Sequence, residues 1–582
     1  MDGEDGHGTV GVAVHHYLRR RAERVEVCCH WTAPLAIDPF DHNTVYYGCQ
    51  VIFKTSNEGQ TWSVISGDLS TQDPSRIVSS GGIVPDNLGQ FSGELVFAIA
   101  PSPLQRGLIW AGTNDGKVWL TRQGGGTWTD VTKNITGLPA WGTVVKIEPS
   151  HFDAGSAYVA VDYHLMDNRA PFIYKTTDFG QTWKSVSGDL PAKHPLDYVL
   201  AVTEDANRKG MLFAGTGHAF YYSMDDGAHW SAFQDGLPAA PVSWVVYEPR
   251  YHDVVVSTYG RGLYILSDLT VLEQTGQVTP PPAVTQLFAP RAGFRQPRSG
   301  SAPFLFSLAV APTGPAQLEI LNAAGEVIRT QQVTGARAGL NRATWNLMYE
   351  PARMAQLRTT PPENAHLWEE PDFTGRETRP VTHWGISTTT ATPIAAPGKY
   401  SVRLTVNGGA QTQPFEVLKD PLILASDEDL VASTRMQIRV RNDINATTDI
   451  VNAVEVTRRQ IEDLLKVNRG KDELEKPLMD LDKKILDVEL QLVTRADLRS
   501  DEKYFVEAYK VYMNLLWLGA AVGLGAGDEA GGADNKPRDA AFEILDGLEK
   551  QLAAAKSAFA GITDKELPAF NRTMNGKLPV IK

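Results

Sequence analysis

The stretch "TTDFGQTW" at residues 176–183 decides the fold, because close copies of it recur along the first half of the chain. The copies read TSNEGQTW at 55–62, TRQGGGTW at 121–128 and SMDDGAHW at 223–230. Consecutive copies end in tryptophans that lie between 47 and 66 residues apart. Self-similarity at such a spacing indicates a repeat architecture, in which each repeat is one supersecondary unit.

Each copy is embedded in the same order of four short apolar strands. The clearest unit predicts strands at 141–150, 156–164, 172–177 and 182–188, and the octet stands between the third and the fourth strand. A four-stranded sheet in every repeat is typical of a β-propeller blade. Three complete units, a shorter one from Trp31 and closing strands at 242–268 predict a partial propeller of about four to five blades.

The octet itself is predicted to be a folding device rather than a catalytic motif. The carboxylate of Asp178 is expected to accept hydrogen bonds from turn amides, and Gly180 to supply a positive φ. Trp183 is expected to fill the gap beside the next blade. Such a turn lies at the blade periphery, so Asp178 and its counterpart Asp225 are not predicted to take part in catalysis.

The best copy matches the S/T-x-D-x-G-x-T-W motif of the Asp-box, or BNR-repeat, propellers through Thr176, Asp178, Gly180, Thr182 and Trp183. The other copies depart from the motif: Asn57 and Gln123 replace the aspartate in the first and second copies, and His229 replaces the threonine in the last. The motif is shared by sialidases, xyloglucanase-type hydrolases, sortilin-type receptors and photosystem assembly factors, so it indicates fold more than function.

After Trp31 the chain resembles bacterial proteins of the "glycosyl hydrolase, BNR repeat" or sortilin-like type. In these proteins a blade similar to VVVSTYGRGLYILSD (254–268) is followed by a β-sandwich and a helical tail. They carry further blades upstream, so the resemblance implies an N-terminally truncated propeller with an open edge through which an oligomer is possible. It also implies a secreted or periplasmic protein, although this chain shows no signal peptide.

The sequence divides into five segments of different texture, and the predicted fold is mainly β. An irregular segment at 1–30 precedes the propeller at 31–269, and a Pro-rich linker is predicted at 270–300. Alternating apolar residues and hairpin turns predict an Ig-like or fibronectin-like β-sandwich at 301–420. Apolar stripes at helical spacing after the N-cap Ser426 predict an α-helical bundle at 421–582.

Composition excludes several function classes. A formal net charge of −13 disfavours a nucleic-acid partner, since phosphate binding needs a basic surface. No apolar run reaches the roughly 20 residues that a membrane span needs. The cysteines are Cys28, Cys29 and Cys49, which predict neither a disulfide framework nor a cysteine zinc site. No cofactor motif is found, and the histidines at 15, 16 and 30 have no metal-ligand spacing, so neither a cofactor nor a metal is predicted.

Candidate site residues follow from propeller geometry, because ligands bind where the innermost strand begins and in the loop between the second and third strands. Two carboxylates across a sugar-sized gap are what glycoside hydrolysis requires. The predicted catalytic residues are Glu94, Asp162 and Asp197. The predicted substrate-binding residues are Trp141, Tyr163, His164, Tyr198, Tyr259 and Arg261. Arg261 could bind a substrate carboxylate or, alternatively, form an ion pair with Glu94 or Asp162.

Three functions remain open at this level. The first is a glycoside-hydrolase-like enzyme that acts on a polysaccharide or glycan by carboxylate acid/base chemistry at the propeller mouth. The second is a non-catalytic, sortilin-like scaffold that binds a protein or a glycan. The third is a polysaccharide lyase, which needs a tyrosine or histidine base and an arginine, such as Tyr163, His164 and Arg261.

Overall fold

The computed structural model describes residue 29 and the ranges 32–73, 94–233, 236–277, 284–361, 364–381, 388–499 and 507–582. These residues belong to two compact units that divide between residues 278 and 279. The first unit is mainly β, and the second combines a β-sheet region with a helical region. Apart from Cys29, the predicted irregular segment 1–30 lies outside the described residues.

The first unit is a five-bladed propeller, which confirms the predicted fold class. Blade one contains β1 (Leu35–Asp38), β2 (Asp41–Gly48), β3 (Ile52–Thr55) and β4 (Ser63–Val64). Blade two contains β5 (Val96–Pro101), β6 (Ile109–Thr113), β7 (Val118–Thr121) and β8 (Thr129–Asp130). Blade three contains β9 (Thr143–Pro149), β10 (Ala157–Asp162), β11 (Phe172–Thr176) and β12 (Lys184–Ser185). Blade four contains β13 (Val199–Glu204), β14 (Leu212–Thr216), β15 (Phe220–Ser223) and β16 (Ser231–Ala232). Blade five contains β17 (Val242–Glu248), β18 (Asp253–Thr258) and β19 (Gly262–Leu266).

Within each blade the strands are antiparallel and follow their order in the sequence. In blades two to four the second strand is buried along its whole length; every residue of β6, β10 and β14 is shielded from solvent. Short turns are sufficient for antiparallel neighbours, which explains how four strands fit into each repeat. The repeat pattern of the sequence therefore predicts the architecture of this unit correctly.

The octet of blade three forms a closed turn between β11 and β12. Asp178 Oδ1 accepts hydrogen bonds from the Thr182 amide and the Thr176 hydroxyl, both at 2.8 Å, and Gly180 has a φ of +81°. Trp183 packs edge to face on Trp110 of blade two, with ring centroids 5.9 Å apart. The tryptophan thus contacts the preceding blade and not the next one, which corrects that detail of the prediction.

The outer faces of the terminal blades expose apolar side chains. In blade five, Leu263 and Ile265 are 73% and 64% exposed, and Trp244 and Val246 lie on the same face through their pairing in the sheet. In blade one, Leu35 and Ile37 are each 54% exposed. These faces fit the predicted open edge, and association through them stays a prediction.

One disulfide joins Cys29 to Cys49, which lies directly after β2. The amide of Gly48 donates to the carbonyl of Pro34, and this pairing holds the segment near residue 34 beside the strand. The expectation of no disulfide framework therefore needs a correction. The two cysteines are 20 positions apart in the sequence, and this spacing gave no sign that the chain folds back at this point.

The predicted linker 270–300 contains regular structure. Helix α1 (Thr270–Thr275) closes the first unit, and strands β20 (Gln286–Leu287), β21 (Gly293–Gln296) and the start of β22 (Ser299–Leu308) open the second. Leu272 is buried against blade five, and Leu287 is buried in the core of the second unit. Apolar residues on both sides of the three prolines at 280–282 thus contribute to two cores.

The sheet region of the second unit has eight connected strands. It adds β23 (Ala316–Leu321), β24 (Val327–Val333), β25 (Gly339–Trp345), β28 (Gly398–Val406) and β29 (Gly409–Lys419), with a separate small pair of β26 (Gln356–Leu357) and β27 (Arg379–Pro380). Aromatic contacts such as Phe304 to Phe415, with centroids 5.1 Å apart, fill its core. Strand β21 pairs with β29 in parallel. The Ig-like or fibronectin-like topology stays a prediction.

The helical region confirms a C-terminal α-helical part. Its helices are α2 (Asp427–Val467), α3 (Asp472–Glu489), α4 (Arg495–Arg499), α5 (Val511–Val522), α6 (Asp539–Gly561) and α7 (Leu567–Thr573). Ser426 caps α2 as predicted, because its hydroxyl accepts the Asp429 amide at 3.2 Å. In the part of the chain that the structure describes, no helix is long and apolar enough to cross a membrane.

Candidate functional site

Six polar and aromatic side chains meet at one end of blades three and four. They come from three places that propeller geometry brings together: the loop after β10, the approach to β13 and the loop after β14. We call this set the mouth cluster, and its members are Asp162, His164, His194, Asp197, Tyr198 and His218. Four of them, Asp162, His164, Asp197 and Tyr198, were predicted from the sequence as catalytic or substrate-binding residues.

Asp162 and His164 form a hydrogen-bonded pair. Asp162 is the last residue of β10 and is 7% exposed. Its Oδ1 accepts the backbone amide of His164 at 2.8 Å, and its Oδ2 lies 2.5 Å from His164 Nδ1. A carboxylate accepts at both oxygens, so Nδ1 carries a proton, and in the neutral form of the ring the lone pair is on Nε2. The His164 side chain is 31% exposed, which leaves the ring accessible from solvent.

Tyr198 covers one face of this imidazole. The two rings are stacked with centroids 4.5 Å apart and an angle of 19° between their planes. Burial, and then the nearby Asp162 carboxylate, raise the pKa of the Tyr198 phenol. The Tyr198 ring therefore orients His164. The face of Tyr198 that stacks on His164 is covered, so a substrate cannot bind to it as was predicted.

Asp197 forms the second half of the mouth cluster with His194 and His218. The carboxylate is 2% exposed, and its Oδ2 accepts the backbone amide of His194 at 2.6 Å. His218 Nε2 lies 3.8 Å from Asp197 Oδ1. The rings of His194 and His218 lie 4.5 Å apart. Each of the three residues offers a ligand atom, and these atoms lie within 4.8 Å of one another.

Tyr163 lies in the core of blade three rather than at the mouth surface. It is 1% exposed, its hydroxyl donates to the Pro139 carbonyl, and its ring packs edge to face on Phe172. Burial raises the pKa of its phenol. The structure therefore does not place Tyr163 where a substrate would meet it, because alternation along the chain after β10 turns it inward.

Glu94 belongs to a different carboxyl pair, with Asp115 of blade two. Its Oε2 accepts the Asp73 amide at 3.1 Å, and Asp115 Oδ2 accepts the Thr71 amide at 2.5 Å. Burial, followed by the charge of Asp115, raises the pKa of Glu94. In the described ranges, no hydrogen bond or ion pair links the predicted acids Glu94, Asp162 and Asp197, which instead have separate partners.

The remaining predicted residues are Trp141, Tyr259 and Arg261. Trp141 precedes β9 with a left-handed φ of +69°. Tyr259 is 80% exposed in the loop between β18 and β19, and the Arg261 guanidinium donates to the carbonyl of Gly260 at 3.0 Å. Within the described part of the chain, no ion pair joins Arg261 to Glu94 or Asp162.

Sequence reasoning missed Arg169 and His194 at the mouth, and it selected His218 only as a residue of a loop between second and third strands, without its contact with Asp197. Arg169, in the loop after β10, lies close enough to Tyr198 for its charge to oppose the rise in the phenol pKa. His194 stands three residues before Asp197, a spacing that places both in one turn, and this was the available signal. His218 is 21 residues beyond Asp197, and only the adjacency of β13 and β14 brings the two together.

Comparisons with known proteins give remote likenesses. No protein-family model matches the chain, and no match is found among curated proteins. The solved GH74 xyloglucanase from Xanthomonas campestris is similar at 12% identity and a TM-score of 0.32, over 65% of this chain and 70% of that chain. An ancestral GH74 enzyme is 12% identical with a TM-score of 0.32, over 68% of this chain and 63% of its own.

A third similar structure is YCF48 from Cyanidioschyzon merolae, with 12% identity, a TM-score of 0.27, and coverage of 49% of this chain and 83% of that chain. A structure of YCF48 bound to D1 peptide is also similar to this chain. The similar structures thus include both enzymes and a protein bound to a peptide, and their TM-scores are too low to support a conclusion about the activity of this chain. The propeller assignment rests on the strand order of the five blades, and the function has to be argued from the mouth cluster.

Proposed function

We propose that the protein is an enzyme that acts on a polysaccharide at the mouth cluster, with His164 as the general base. The observation that carries the proposal is the hydrogen bond between Asp162 Oδ2 and His164 Nδ1. A carboxylate in this position fixes the tautomer and stabilises the imidazolium that forms when Nε2 takes a proton. The stack on Tyr198 holds the ring still, so the base is oriented from two sides.

The reaction class that suits a histidine base without a partner nucleophile is elimination from a uronate-containing glycan. Nε2 of His164 takes the proton from the carbon next to the uronate carboxylate. The electron pair forms a carbon–carbon double bond, the glycosidic carbon–oxygen bond breaks, and the leaving oxygen takes a proton from water. The hydroxide that remains takes the proton from His164 Nε2, which restores the water and the base. Arg169 supplies the positive charge that a uronate carboxylate requires. It takes the role that the sequence analysis gave to Arg261.

Glycoside hydrolysis is the second candidate, and one observation favours it. Burial, and then the charge of Asp115, raise the pKa of Glu94, which is the direction of shift that a general acid requires. In this case Glu94 protonates the leaving oxygen, and the mouth cluster only binds the glycan. The two candidates need different residues, which makes them separable by mutation.

The test is an activity screen on a panel of neutral and uronate-containing polysaccharides, read for reducing ends and for the ultraviolet absorbance of unsaturated products. We expect unsaturated products from wild type and from His229→Ala, the matched control, since His229 also contacts an aspartate but lies on the blade periphery. His164→Ala should lower the rate about 100-fold or more, and Asp162→Asn should lower it as well because the tautomer is no longer fixed.

Each other outcome of the screen overturns the proposal. Full activity of His164→Ala excludes this histidine as the base. Reducing ends without unsaturated products, lost in Glu94→Gln, establish hydrolysis. Silence of the wild type on every polysaccharide, together with retention on an immobilised glycan, establishes a non-catalytic binding scaffold.

We also infer that the repeated turns are of the Asp-box type and that the protein is secreted or periplasmic. The turn hydrogen bonds at Asp178 and Asp225 support the first statement. The Cys29–Cys49 disulfide supports the second, because disulfides persist in oxidising compartments. Non-reducing peptide mapping of protein isolated from its native source checks this: a free, alkylated Cys49 would contradict an oxidising location.

A further inference from the structure

We propose that His194, Asp197 and His218 form a binding site for a divalent transition metal, with Zn²⁺ as the fitting ion. The proposal stands on the geometry of these three side chains and does not depend on catalysis by His164. Nothing in the sequence analysis predicted a metal here. The residues lie on two neighbouring loops of blade four, directly before β13 and directly after β14.

The local turn holds two of the ligands in place. The amide of Asp197 donates to the His194 carbonyl at 3.1 Å, and the amide of His194 donates to Asp197 Oδ2 at 2.6 Å. This reciprocal pair fixes the carboxylate with its second oxygen, Oδ1, directed at His218. The site therefore has a preformed side, which lowers the entropic cost of binding an ion.

The tautomer of His218 is the observation that points to a cation. His218 Nδ1 lies 3.0 Å from the carbonyl oxygen of Leu196, and a carbonyl can only accept, so Nδ1 carries the proton. In the neutral form of the ring, Nε2 then presents a lone pair to Asp197 Oδ1 across 3.8 Å. In this form the two electron-rich atoms repel each other, and a metal ion between them replaces the repulsion by two bonds.

The same hydrogen bond is the outer-shell contact that metal-bound histidines usually make. A ligating imidazole donates its other N–H to a carbonyl or carboxylate, which orients the ring and raises its basicity. Leu196 provides this carbonyl, and it belongs to the same turn that carries the other two ligands. Ligand and outer-shell contact thus come from one rigid segment.

His194 is the ligand that has to adjust. Its Nδ1 accepts the Leu196 amide at 3.2 Å, a long hydrogen bond on an exposed side chain. Coordination through Nε2 places the proton on Nδ1 and ends this bond, whereas coordination through Nδ1 replaces it. The ring is free to make either change because it is at the surface.

Two histidines and one carboxylate select the metal. Such a set is typical of zinc sites with open positions and of non-haem iron, whereas Ca²⁺ and Mg²⁺ prefer oxygen ligands. Zinc bonds of about 2.0 to 2.2 Å hold ligand atoms roughly 3.4 Å apart in a tetrahedron. The separation of 3.8 Å between His218 Nε2 and Asp197 Oδ1 needs to close by only a few tenths of an ångström.

The test is isothermal titration of the full chain, freed of metal, with Zn²⁺, followed by Co²⁺ titration read by visible absorption. We expect a site in wild type whose affinity falls about 100-fold or more in His218→Ala and in Asp197→Asn. His194→Ala is the variant that keeps the fold safest, since this residue is exposed, and it should weaken binding in the same way.

His229→Ala is the matched control, because it removes an exposed histidine that contacts an aspartate at 2.6 Å without a third ligand. It should leave the titration unchanged. Equal zinc affinity in wild type and all three site variants would overturn the proposal, as would a loss in His229→Ala of the same size. Zinc binding without polysaccharide activity supports this site while the proposed enzymatic function fails, so the two inferences are separable.

Discussion

The hydroxyl of Tyr158 in blade three donates a hydrogen bond to Asp226 Oδ1 in blade four over 2.8 Å. The same carboxylate accepts Lys175 Nζ at both of its oxygens, each at 2.8 Å. Glu204, which is buried, lies 3.2 Å from the tyrosine hydroxyl. Two neighbouring blades are therefore joined by a polar network in addition to their apolar contacts.

Replacing Tyr158 by phenylalanine tests this network. The change leaves Oε1 of the buried Glu204 without the hydroxyl, and an unsatisfied buried acceptor costs about 1 to 3 kcal/mol of unfolding free energy. Urea unfolding followed by tryptophan fluorescence measures the loss. Tyr259→Phe removes an equivalent hydroxyl from an exposed side chain and should change stability by less than about 0.5 kcal/mol. Equal stability of both variants would contradict a role for the network.

Replacing the glycines in the second strands of blades two and four should destabilise the propeller. A Cβ on Gly112 would lie 2.3 Å from a methyl carbon of Val144 in the next blade, and one on Gly215 would lie 2.5 Å from Val242. Either alanine variant forces the blades apart, so we expect a loss of about 1 to 3 kcal/mol. Gly547→Ala in helix α6 meets no atom within 4 Å and should be neutral or slightly stabilising. Thermal unfolding of the three variants decides.

The turn of blade three should depend on hydrogen-bond acceptance rather than on charge. Asp178→Asn keeps an acceptor for the Thr182 amide, as Asn57 does for Thr61 at 3.0 Å in blade one. Asp178→Ala removes it. We expect the alanine variant to lose about 1 to 2 kcal/mol and the asparagine variant less than half of that. An equal loss in both variants would show that the charge is what matters.

The propeller was predictable because its signal is local and repeated. Each octet fixes the place of a turn between the third and fourth strands, and the apolar segments around it have the length of strands. The same reasoning reached Asp162, His164, Asp197 and Tyr198, since all four flank strands that begin or end at the mouth. Their chemistry was not predictable, because it depends on which side chain each one contacts.

What the sequence could not show depends on contacts between distant residues. His218 joins Asp197 only because β13 and β14 are paired, and Cys29 meets Cys49 only because the chain near Pro34 folds along β2. Tyr163 was assigned to the mouth since it belongs to the loop between the second and third strands of blade three, but its side chain is buried in the core of that blade. Pattern therefore places a residue near a site, while the direction of its side chain requires the fold.

The stability of the propeller unit should fall as pH rises from about 4 to about 6, owing to Asp205. Burial, and then the charge of Glu273, raise the pKa of Asp205 from 3.8 to about 6. The folded state holds this proton more tightly than the unfolded state between those two values, so stability is highest below the window and is lost through it. A shift of this size corresponds to at most about 3 kcal/mol of unfolding free energy.

Asp205→Asn keeps an oxygen to accept the amides of Asn207 and Arg208 and should flatten this part of the pH profile. Asp167→Asn, at a side chain that is 98% exposed, is the control and should leave the slope unchanged. Urea unfolding of the three proteins between pH 4 and pH 7 measures the effect, and a slope retained in Asp205→Asn would assign it instead to Glu204 and Glu94, whose pKa values are also raised by burial.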